Sequence, residues 1–154
     1  MLDRRMLLRA LLALSLLACS RSGSSASVDA PAERFHAGER WHYQTRPGEE
    51  GSTLTVLKVD ASPRVGTIVH IHVDGLKLKT PPNSSVHSDQ IGHMPFAEAA
   101  MEQSVTTMIA KDVPLPDFAP SYGEWRRAFE NGKGGVFTIT VAKGVDFVES
   151  NLNK

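Results

Sequence analysis

Apolar and polar residues alternate with a period of two through the first half of the chain beyond residue 32, then shift to a period near 3.6. In GERWHYQTR, Trp41, Tyr43 and Thr45 alternate with His42 and Gln44. PGEEGS follows as a Pro/Gly turn before TLTVLKVD, so the two runs predict a β-hairpin. SPRVG turns the chain again into GTIVHIHVDG, where Val69, Ile71 and Val73 share one face of a strand and His70, His72 and Asp74 the other. That strand is expected near the centre of the sheet. Gly75 predicts a bulge, because Leu76 and Leu78 would otherwise continue on the histidine face. TPPNSS interrupts the run, and VHSDQIGHM (86–94) reads as a further strand or an ordered loop.

After Pro95, the positions Ala97, Met101, Val105, Met108 and Ile109 fit one helix through FAEAAMEQSVTTMIA. KDVPLPDFAP holds three prolines and is expected to cross the surface in extended form. SYGEWRRAFENG predicts a second helix, with Ser121 as N-cap, Gly132 as its stop and Tyr122, Trp125 and Phe129 on one stripe. VFTITV alternates as a strand, and Val141, Val145, Val148 and Leu152 return to helical spacing. The order describes one α+β domain over residues 33–154, a mostly antiparallel sheet of four or five strands with about three helices packed on one face.

Ahead of this domain, MLDRRMLLR carries three arginines and is followed by ALLALSLLA, which is far shorter than the ~20 apolar residues of a membrane-spanning helix. The segment ends in Leu16-Leu17-Ala18-Cys19, which resembles the lipobox of bacterial lipoproteins. The resemblance implies that residues 1–18 are a signal peptide, that Cys19 becomes the acylated N-terminus, and that the lipid bilayer is its partner. Ser20 after the cysteine implies the outer membrane, with the body facing the periplasm. SRSGSSASVDAPA then forms, with Cys19, a flexible Ser-rich tether over residues 19–32. Removing the signal peptide takes out three arginines and one aspartate from a chain of zero formal net charge, so the remainder is slightly acidic. A nucleic-acid partner is not expected. Cys19 is the single cysteine, so disulfides, thiolate metal sites and cysteine nucleophiles are excluded after it.

The candidate chemistry lies with the histidines. Two residues apart on a strand, His70 and His72 project from one face about 6.6–7 Å apart, close enough to converge on one ion. A metal site needs a further donor, for which His42, His87, Asp89 and His93 are the candidates. The competing reading makes His42, Gln44, His70 and His72 the polar face of a half-exposed sheet whose other face is covered by helices. No nucleophile-elbow G-x-S-x-G and no triad segment occurs, so no catalytic residue is assigned. Glu49 and Glu50 read as solvated turn charges. Lys133 to Gly135 is too short for a phosphate loop. The stripe Tyr122, Trp125, Phe129 reads as core, with a ligand groove as the alternative. No cofactor is expected unless the histidines hold a metal. The leading expectation is a membrane-anchored binding or protein-interaction module, an immunity-type inhibitor being one form of it. The alternatives are a metal-binding or metalloenzyme domain using the His-x-His pair, and a structural subunit of an envelope assembly.

Overall fold

A computed structural model describes residues 34–81 and 89–153. The chain divides into two units, Met1–Ala32 and Glu33–Lys154, and every described residue belongs to the second. The expected signal peptide, Cys19 and the expected tether therefore lie outside the described residues, as do His87 and Ser88.

Five strands form one antiparallel sheet: β1 (Arg40–Tyr43), β2 (Thr53–Ser62), β3 (Gly66–Asp74), β4 (Gln90–Ala97) and β5 (Val105–Ala110), in the order β4-β3-β2-β1-β5. Three helices accompany it: α1 (Glu98–Ser104), α2 (Ala119–Glu130) and α3 (Val141–Leu152). The α+β class, the antiparallel sheet and the helix number are those the sequence predicts. The GTIVHIHVDG run is β3, an interior strand between β2 and β4.

Strand alternation divides the sheet into two chemically different faces. On one, Val69, Ile71 and Val73 of β3 pack with Leu54 and Val56 of β2 and with Met94 and Phe96 of β4. Over this face lie α1, through Ala100 and Met101, and α3, through Val141 and Val145. Gly144 lets α3 approach closely, since a Cβ there would stand 2.9 Å from the Phe96 ring. Gly75, with a φ of 73°, follows the end of β3 and turns Leu76 and Leu78 into this same core, so the expected bulge is a strand end instead. The other face carries His70 and His72, and α2 lies across it. Helices sharing one face thus describes α1 and α3, while α2 takes the face of the histidines.

Four local expectations are corrected. The helix begun at Glu98 stops at Ser104, and Val105–Ala110 continues as β5 beside β1. VFTITV contributes only a single parallel bridge, Phe137 to Phe96, and Val141 already opens α3. Glu49 is not a solvated turn charge: it is buried and paired with Arg46 at 2.5 Å. Ser121 does not cap α2, which starts earlier with Phe118 at the N-cap and Pro120 in its first turn. Among the described residues, no helix is long and apolar enough to cross a membrane.

Candidate functional site

β3 is where the site begins. Because Val69 and Ile71 must face the core, His70 is forced to the opposite side, where it sits across from Lys58 of β2 and Pro95 of β4. Likewise Met94 and Phe96 face the core, so His93 between β-bulged Gly92 and Met94 turns toward His70. A second bulge, at Leu57, resets the alternation of β2 so that Lys58 and Asp60 share this face with His70 and Ile68.

His70 is completely buried, which corrects the half-exposed polar face expected from the alternation. The roof is α2. Tyr122 and Trp125 meet the His70 ring edge-on, with centroids 5.1 and 4.6 Å away, and both also reach His93. Their helical stripe is therefore not part of the main core: it is the packing surface that seals the histidines. Trp125 stacks on Phe129, whose ring is covered in turn by the Arg64 guanidinium at 4.4 Å.

The two histidines are stacked, and Nδ1 of His70 lies 2.9 Å from Nε2 of His93, a hydrogen bond between the rings. Nε2 of His70 is 3.3 Å from Asp60 Oδ2 but lacks the alignment of a hydrogen bond, so it is left without a hydrogen-bond partner. The arrangement favoured electrostatically has His93 donating to Nδ1, which leaves the Nε2–H of His70 facing the Asp60 carboxylate. That carboxylate accepts a hydrogen bond from the Tyr122 hydroxyl at 2.6 Å and pairs with Lys58. Arg126 in turn donates to the Tyr122 oxygen and to Glu130. Burial, reinforced by His93, Lys58 and Arg126, pushes the His70 imidazole down to about 3, and burial pushes His93 down to about 4. Both rings are neutral at physiological pH.

The remaining candidates disperse. His72 is buried on the same face but spends its Nε2 on Asp74 at 2.7 Å, with Arg40 on the far side of that carboxylate; its Nδ1 has no hydrogen-bond partner. His42 is exposed on β1. The structure thus unites His70 with His93 and separates both from His72 and His42. A ring-to-ring hydrogen bond uses the lone pair an ion would need, and among the described residues no three His, Cys, Asp or Glu side chains gather where an ion could be held.

Beside this cluster opens a cleft of about 430 Å³ between the β2–β3 turn and α2. Ile68, Trp125 and Phe129 supply its apolar surface, and Asp60, Arg64, Arg126 and Glu130 its charged positions. Asp60 therefore has one side on the buried histidines and the other on the cleft. Sequence reading missed Asp60, because the bulge at Leu57 hides its parity with His70. Tyr122 and Trp125 were visible as a stripe, but nothing local shows what a stripe packs on. Comparison with protein-family models, curated proteins and solved structures found no match to this chain.

Proposed function

We propose that this chain is a lipid-anchored protein of the bacterial envelope whose folded body is a binding module, with the cleft between the β2–β3 turn and α2 as its ligand site. The cleft is the observation that carries the reading: its ~430 Å³ is within the range of ligand pockets, and an apolar lining with a few charged groups is their usual chemistry. The address is supported by the basic segment, the short apolar run and Leu16-Leu17-Ala18-Cys19. Several acyl chains on Cys19 would anchor the body firmly, each buried CH₂ contributing about 0.8 kcal/mol. The Tyr122 hydroxyl links Asp60 to Arg126, so charges of opposite sign meet at the cleft wall.

A photoreactive residue placed at Glu130 on the cleft rim, compared with one at the exposed Lys143 of α3, tests the site in intact cells. A discrete adduct formed from position 130 alone is expected. Equal labelling from both positions, or none from 130, overturns the cleft as the ligand site. Replacing Cys19 with alanine tests the address separately: the variant is expected to leave the membrane fraction, and normal membrane retention overturns the anchor.

A further inference from the structure

We propose that α2 is an acid-released element, held on the sheet by the neutral His70–His93 pair and detached, with its wall of the cleft, when that pair takes up protons. The inference concerns how α2 is docked and holds whatever the cleft binds.

The three helices are attached very differently. α3 buries Val141, Gly144 and Val145 in the main core, and α1 buries Ala100, Met101 and Ser104. No residue of α2 is fully buried; the helix meets the sheet through Tyr122 and Trp125, and the β2–β3 turn through Phe129, whose ring and carbonyl both contact Arg64. An element with so little buried surface belongs to the low-stability end of local unfolding. What Tyr122 and Trp125 rest on is the histidine pair itself, so the docking surface of α2 is titratable.

The surroundings make added charge costly there. From β2, Lys58 and Asp60 face the pair; from β4 comes His93; from α2 come Tyr122 and Arg126. Asp60 is the one anion of this set, and it is already engaged by Lys58 and the Tyr122 hydroxyl. A proton on either ring therefore adds a cation to a buried site where the available carboxylate is committed, and a second proton also destroys the ring-to-ring hydrogen bond. Detaching α2 exposes both imidazoles to water and returns them to ordinary behaviour.

The sign follows from linkage. In the docked state burial holds the two rings down to about 3 and 4, against the ordinary imidazole value of 6.5 when they are exposed. The released state binds more protons throughout that interval, so docking is fully stable above pH 6.5 and weakens as pH falls toward 3. The docking equilibrium constant loses up to tenfold per pH unit for each proton taken up. Release removes Trp125, Arg126, Phe129 and Glu130 from the cleft wall together.

Acid titration of the protein, followed by acrylamide quenching of Trp125 in a Trp41→Phe background and by amide NMR signals of α2, α1 and α3, tests the proposal. Trp125 is expected to become quenchable and the α2 signals to change with a midpoint between pH 6.5 and 3, while α1 and α3 stay native. His70→Gln and, separately, His93→Gln keep a hydrogen-bonding group without the titration, and each is expected to flatten the pH dependence of α2 docking. If His70→Gln is not native at pH 7.5, the half-buried His93 position carries the comparison. The proposal is overturned if α1 and α3 change together with α2, if α2 stays docked to pH 3, or if His93→Gln leaves the slope unaltered.

Discussion

At the scale of single residues, the decisive fact about His70 is its company rather than its spacing from His72. Its place on a strand face is readable from GTIVHIHVDG, because Val69, Ile71 and Val73 claim the other face. That its partner is His93, 23 residues away, is set by which strand lies beside β3 and by the direction His93 takes in β4. Asp60 connects the pair to α2, and the Tyr122 hydroxyl is its link to the helix. Tyr122→Phe removes one hydrogen bond to a carboxylate while keeping the ring on His70. The expected loss is about 1–2 kcal/mol in urea unfolding, with α2 signals in NMR disturbed more than those of α3.

Among elements, the instructive case is the segment 98–110. Val105, Met108 and Ile109 continue the helical spacing of Ala97 and Met101, yet Val105–Ala110 is a strand. The β-branched run Val105-Thr106-Thr107 favours a pleated surface, and β1 offers a free edge to pair with. Periodicity cannot weigh that edge, because the partner strand lies more than 60 residues upstream. Ser104 stands at the switch. Its hydroxyl donates to the Ala100 carbonyl at 2.6 Å and accepts the Val141 N–H at 2.9 Å, so one buried side chain closes α1 and satisfies the start of α3. Ser104→Ala leaves the Val141 N–H buried and unpaired, and a loss of about 1–3 kcal/mol is expected by thermal or urea unfolding. VFTITV meets the β4 edge only at the Phe96–Phe137 bridge, and Val141 is used to open α3.

For the molecule as a whole, one ion cluster ties distant parts of the chain together. Arg46, after β1, pairs with Glu49 in the same turn and reaches Asp146 and Glu149 of α3 at 3.0 and 2.8 Å. Glu49 is 3% exposed at its side chain, whereas Asp146 is 61% exposed, so the Glu49 pair dominates and the Asp146 contact counts for little. Replacing Arg46 with methionine strands the Glu49 carboxylate, and a loss of about 3 kcal/mol at neutral pH is expected from urea unfolding. The hydrogen bonds from Arg46 hold Glu49 below its ordinary value of 4.5, so its contribution is present above that pH and declines as pH falls below it. Acid should therefore weaken the protein in two stages, first at the histidine pair below pH 6.5 and then at the Arg46 cluster below 4.5. In Arg46→Met the second stage of the stability profile should flatten while the first remains.

The sequence by itself determined the α+β class, the strands β1 to β3, the stretch of α3 and the side of β3 on which the histidines stand. These are properties of local periodicity and turn residues, which act over a few neighbouring positions. Tertiary structure alone decided that α2 covers the histidine face, that His70 binds His93 while His72 turns to Asp74, and that Asp60 lies between the pair and a cleft. Each of those outcomes depends on strand neighbours, on the bulges at Leu57 and Gly92, and on which apolar stripe finds which surface. Such choices are made by long-range packing, where a residue's partner is settled by burial across the whole sheet rather than by its own stretch of chain.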